Sequence, residues 1–145
     1  MKINIKNFTL LLVFFVFSGV LLAQEGRRER IKTLRTGFFT QQLKLSSADA
    51  EKFWPVYNEY DEKIYNLRKI EREEIWKIFK DENDELTDSQ AEELLVKLQH
   101  LREEEFRIKE ETEKKLVEIF NAKMVLLLKK TEFDFNKHLL EHSKE

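Results

Sequence analysis

Two histidines, His138 and His142, stand four residues apart near the end of this 145-residue chain, with Glu141 between them. On a helix an i,i+4 pair shares one face, and two imidazoles so placed can hold Zn²⁺ once a third ligand arrives. The pair lies close to a chain end where a helix frays, so the plainer reading is two solvated polar side chains. His100 lies beside an apolar helical stripe and reads as a surface residue. Nucleophilic catalysis needs a serine or cysteine held by a base and an orienting acid. The chain has no cysteine, and Ser46, Ser47, Ser89 and Ser143 fall at helix caps or in the tail. No Gly-rich phosphate loop occurs. With 28 Asp and Glu residues, paired carboxylates carry no information. These residues point to a non-enzyme without a cofactor, zinc at His138 and His142 being a weak alternative. The side chains with more to say are aromatic. Trp54, Tyr65 and Trp76 are spaced by eleven, as are Leu95, Phe106 and Val117. Eleven residues is close to three helical turns, so each set lines one helix face.

The elements that carry these residues are helices. Charged residues make up 37% and hydrophobic residues 41%, with 3 Gly and 1 Pro, which suits long helices and not sheets. At the N-terminus, Lys2 and Lys6 precede the apolar run Phe8–Leu22 and then Ala23-Gln24-Glu25. This describes a secretory signal peptide over 1–23, with retention as an anchor as the other possibility. Removing 1–23 takes Lys2 and Lys6 from the 26 basic residues and none of the 28 acidic ones, leaving a net charge of −4. A weakly acidic, mixed surface argues against nucleic acid. With no cysteine the exported domain, 24–145, has to be held by packing alone.

About four helices are expected, an all-α fold. The first runs from about Arg27 to Leu43, with Ile31, Leu34 and Phe38 on one face and Phe39 off it. The second is capped by Ser46, with Asp49 three residues on, and reaches about Lys80. Its stripe is Phe53, Tyr57, Tyr60, Ile64, Leu67, Ile75 and Ile78. Pro55 sits well inside this helix and clashes with the Glu51 carbonyl, which predicts a kink or short break near Glu51–Trp54 and a regular helix beyond. After the loop Asp81–Glu85, Thr87 and Gln90 form a full capping box for a third helix from about Asp88 to Phe120. Its stripe is Leu94, Leu98, Leu101, Ile108, Leu116 and Ile119. Glu103–Arg107, Glu105–Lys109, Glu110–Lys114 and Glu111–Lys115 are i,i+4 pairs on its solvated face. The fourth helix spans about Ala122–Glu141 with Val125, Leu128, Phe135 and Leu139 inward.

The second and third helices are copies. Residues 45–80, shifted by 41, superpose on 86–121: Leu45 on Leu86, Ser46 on Thr87, Phe53 on Leu94, Tyr57 on Leu98. Glu71 and Glu105 interrupt the stripes where apolar residues belong. The eleven-residue sets form a second stripe beside the first. It either packs as core or a dimer seam, or stays open for a client, with Trp54, Tyr65, Trp76 and Phe106 as the candidate surface.

Leu86-Thr87-x-x-Gln90 resembles the LTxxQ motif of the Spy/CpxP family of exported all-helical proteins, and Leu45-Ser46-x-x-Asp49 looks like a degenerate first copy. Phe53–Tyr60, FWPVYNEY, resembles a branch of that family labelled "sensor of ECF-type sigma factor". The resemblance implies a periplasmic homodimer built from extended antiparallel helical hairpins with shorter flanking helices, a cradle. It implies an ATP-independent chaperone or envelope-stress protein, whose partners are unfolded proteins. The alternative is a regulatory partner of an extracytoplasmic-function sigma factor or anti-sigma system, binding a membrane signalling protein. A periplasmic metal sensor is a weaker third. Asp49 in place of glutamine, the acidic charge and the lack of a His-rich tail depart from better-known members.

Overall fold

The computed structural model describes residues 26–82 and 85–142. The signal segment proposed for 1–23, the middle of the Asp81–Glu85 loop and Ser143 lie outside the described residues, as does the side chain of His142. The fold is all-α, with no strand among the described residues. Helix α1 covers 26–42. Helix α2, Ser47–Glu71, passes through a π-helical turn, Arg72–Trp76, into α3, Lys77–Glu82. Backbone dihedrals stay helical at Arg72 and Lys77, so these three segments make one continuous rod. Helix α4 is Asp88–Ile119 and α5 is Ala122–His142. Counted this way, the described residues form four helical rods.

These residues gather into two compact units, Leu45–Lys130 and the chain up to Lys44 together with Thr131 onward. Both copies of the repeat lie in the first. There the α2–α3 rod and α4 pack as an antiparallel hairpin. As the number rises along the first rod, its partner's number falls: Glu59 meets Lys115 at 4.0 Å, Arg68 meets Glu105 at 3.8 Å, and Glu74 meets Lys97. Phe53 and Phe120 close the far end with ring centroids 6.4 Å apart. Phe53, Tyr57, Ile64 and Ile75 from the rod, and Ile108 and Leu116 from α4, are buried. Each such side chain contributes roughly 1.5–3 kcal/mol of apolar burial.

The ends of these helices are built by short polar side chains. The Ser46 hydroxyl accepts the Asp49 N–H at 3.1 Å and donates to the Asp49 carboxylate at 2.7 Å. At the second copy the box is reciprocal. Thr87 Oγ1 accepts the Gln90 N–H at 3.3 Å, and Gln90 Oε1 accepts the Thr87 N–H at 2.9 Å. The difference follows from length: the Asp49 carboxylate takes the Ser46 hydroxyl, whereas the longer Gln90 takes the Thr87 hydroxyl at 2.8 Å and the cap backbone N–H as well. Asn121 caps α5 by accepting the Met124 N–H at 2.9 Å.

Pro55 does not break α2, which is helical from Ser47 to Glu71. Pro55 is exposed, so the Glu51 carbonyl that loses its partner can turn to water, while Phe53 and Tyr57 on the opposite side stay buried. The irregularity instead lies in the π-turn, in the stretch the sequence predicts to be regular. The Lys77 N–H reaches the Arg72 carbonyl, one residue further back than in an α-helix. On a regular helix Ile75 falls about 20° from Ile64, eleven positions before it, so the stripe itself does not call for the turn; Ile75, within it, is buried.

In the other unit, α1 turns a different face inward from the one its sequence spacing predicts. Phe39 is 1% exposed and Leu43 is buried, while Leu34 is 58% exposed. Phe39 and Leu43 are i,i+4 neighbours, and Phe39 meets Phe135 edge-on at 5.7 Å. Phe38 is half-buried beside the same ring, at 5.5 Å. Two adjacent phenylalanines define two faces, and the partner ring decides between them. The helix ends at Lys44, whose φ of 52° is left-handed and whose N–H bonds the Gln41 carbonyl at 3.3 Å.

Candidate binding surface

The repeat and the antiparallel pairing together place the two aromatic stripes. On the register of the ion pairs, Trp54 stands level with Val117, Tyr65 with Phe106 and Trp76 with Leu95. Two right-handed helices running in opposite directions, facing each other, carry residues displaced in the same rotational sense to the same side of their common plane. Both second stripes are displaced that way from the buried lines. They therefore share one face of the hairpin.

The opposite face is charged. Glu59 accepts from Lys63 at 2.6 Å, and Arg107 bonds Glu104 at 2.5 Å and reaches Glu111 at 3.5 Å. The bond from Lys63, and then the charge of Lys115, hold the Glu59 carboxyl below its ordinary range. The Glu59 bond raises Lys63 in turn. Arg107 lowers Glu104 in the same way. Of the i,i+4 pairs expected on α4, Glu105–Lys109 closes at 2.7 Å and Glu110–Lys114 at 3.8 Å. Arg107 prefers Glu104 to Glu103, and Lys115 reaches across to Glu59 instead of lying on Glu111. Cross-hairpin partners were not legible from spacing along one helix.

On the apolar face, the stripe of the first rod opens toward the loop end. Trp54 is half-buried, its ring edge-on to Phe53 at 5.0 Å and perpendicular to Tyr57 at 6.0 Å. Tyr65 is half-buried. Phe106 is 66% exposed, Leu95 65% and Trp76 46%. Near the loop the two rods leave a cleft of about 210 Å³ lined by Ile75, Trp76, Phe79, Ala91, Leu94, Leu95 and Leu98. Every lining residue is apolar. The sequence singled out Trp76 and Leu95 for this face. It missed Phe79 as part of the cleft, although Phe79 is exposed and stands one turn beyond Ile75 and Trp76. Leu94 and Leu98, expected as core, are only half-buried here and form the floor.

The two stripe-breaking glutamates both find partners. Glu71 accepts the Trp76 indole N–H at 2.8 Å. Glu105, with a side chain 25% exposed, takes Lys109 at 2.7 Å and sits 3.8 Å from Arg68. The Lys109 bond lowers its pKa, against a smaller opposing effect of burial. His138 lies at 5.9 Å from the Phe38 ring, nearly parallel to it, in the other unit. Among the described residues no three His, Cys, Asp or Glu side chains cluster as a metal site would need. His100 is exposed, 3.7 Å from Glu103.

Fold and surface together define an all-α protein whose helical hairpin carries ion pairs on one face and, on the other, a line of aromatic and apolar side chains with an all-apolar cleft. Comparison with protein-family models, curated proteins and solved structures finds no match for the chain.

Proposed function

We propose that the chain is a non-catalytic binding protein that shields apolar segments of other polypeptides on the aromatic face of its hairpin. The observation that carries this reading is the all-apolar cleft lined by Trp76 and the exposed Phe79, with the exposed Phe106 further along the same face. Surfaces of this kind on a soluble domain mark interaction sites. The charged opposite face keeps the molecule in solution while the apolar face is engaged. The LTxxQ-like caps, the doubled hairpin and the leader-like N-terminus support placing it with exported, ATP-independent chaperones of the Spy/CpxP kind, acting in the periplasm as a homodimer.

The test is suppression of aggregation of a chemically unfolded client, followed by light scattering at stoichiometric protein. The parent is expected to suppress it, and Trp76→Ala combined with Phe106→Ser to lose most of that effect while keeping the helical signal. Absence of suppression by the parent refutes the reading. Capture of one dominant membrane protein, together with no suppression, would instead favour the regulatory role.

A further inference from the structure

The two copies of the repeat differ in one backbone feature. The first contains the π-turn Arg72–Trp76, whereas α4 is α-helical throughout Asp88–Ile119. The side chains differ at the corresponding positions. In the first copy Glu71 and Trp76 stand five residues apart, the spacing that an i→i+5 turn brings together, and their side chains bond at 2.8 Å. In the second copy the equivalents are Thr112 and Val117. Thr112 Oγ1 donates back to the Ile108 carbonyl at 2.8 Å, and valine has no donor to offer. The pair and the turn thus occur together in one copy and are missing together from the other. Glu71 also explains itself: it occupies a stripe position that the pattern reserves for an apolar residue.

We propose that Glu71 is a positioning residue: through the Trp76 indole N–H it clasps the π-turn and holds the Trp76 ring at the wall of the apolar cleft. The clasp fixes the largest side chain of the cleft in place before anything binds. A fixed ring loses less conformational freedom on contact than a free one, which favours binding. The inference rests on the reading that this face binds apolar polypeptide, and it adds the residue that prepares it.

The experiment uses the chain with Trp54→Phe, so that Trp76 is its sole tryptophan. Three variants are compared on that background: Glu71→Gln, which keeps an acceptor; Glu71→Leu, which removes it; and Trp76→Phe, which keeps a ring and removes the donor. Hydrogen exchange of amides 72–77 and the indole N–H resonance report the clasp. Suppression of client aggregation reports binding. Glu71→Leu and Trp76→Phe should speed exchange of the Lys77 amide roughly fivefold, the worth of one net hydrogen bond. Glu71→Leu should also move the indole resonance and require several-fold more protein for equal suppression. Glu71→Gln should restore all three. Unchanged exchange and resonance in Glu71→Leu overturn the clasp. A lost clasp with undiminished suppression overturns the positioning role. If the parent suppresses nothing, the reading of function fails, and exchange and resonance alone still decide the clasp.

Discussion

Deleting Glu73 should leave the hairpin folded and nearly as stable as the parent, which is unusual for a deletion within a helix. Glu73 is exposed and lies inside the π-turn. A π-turn holds one residue more than the α-turn it replaces, so removing one converts Arg72–Trp76 into regular helix without rotating anything after it. The helix before the turn and the helix after it keep the faces they now present. The regained i→i+4 bond is worth about 1 kcal/mol, so the variant should fall within about 1 kcal/mol of the parent, on either side. The control is deletion of Glu110, exposed and within the uninterrupted α4. There one residue rotates the rest of the helix by about 100° relative to what precedes it. The Phe120 ring then leaves Phe53 and Lys115 leaves Glu59, both contacts being set by the present register. Losing the aromatic pair alone costs about 0.5–1.5 kcal/mol. Urea denaturation followed by circular dichroism, with m-values compared to confirm like transitions, measures both. Equal destabilisation by the two deletions would refute the account of how the turn sets register.

Three further outcomes follow from named contacts. Lys44→Gly should stabilise the protein by about 1 kcal/mol in the same assay, because Lys44 holds a left-handed φ of 52° that glycine adopts freely. Phe39→Ala should cost about 3–5 kcal/mol and Leu34→Ala less than about 0.5 kcal/mol, separating the two faces of α1 by thermal melts. Glu105 has its carboxyl held down by Lys109 and then Arg68, so its folded pKa lies below its unfolded value. The stability it contributes is present above the ordinary carboxylate pKa and is lost as pH falls through the lowered one. Glu105→Gln should therefore destabilise by about 0.5 kcal/mol at neutral pH and by nothing once both forms are protonated, read from denaturation midpoints across the acid range.

The hairpin was legible because it is written twice. Caps at Ser46 and Thr87 and stripes repeating at a fixed offset each limit the other, and the helices observed begin and end within two residues of those expected. What escaped the sequence depended on a partner from elsewhere in the chain. Phe38 and Phe39 are equivalent until Phe135 is in place. Lys115 has a good partner one turn back in Glu111, and only the antiparallel register shows that Glu59 is also at hand. Pro55 carries a strong local rule, and the exposed side on which it sits softens it. The π-turn left a trace, a glutamate in an apolar slot, but that names no π-turn without the Glu71–Trp76 bond. For the surface, the eleven-residue stripe picked out Trp76 and Phe106, while the cleft at Trp76 depends on how far the rods part near the loop, which no spacing records.

The offset of the repeat and the register of the hairpin have a symmetry in common. Tyr65 and Phe106 are equivalent positions in the two copies, and they also stand level across the hairpin. A local twofold axis therefore passes between them, perpendicular to the hairpin plane, and emerges through the aromatic face. Rotation about it carries Trp54 onto Leu95 and Trp76 onto Val117. To a first approximation the face looks the same from either end, so an extended chain lying along it meets similar chemistry in both directions. The cleft near the loop and the features unique to the first copy, Pro55, the two tryptophans and the π-turn, give the surface a polarity.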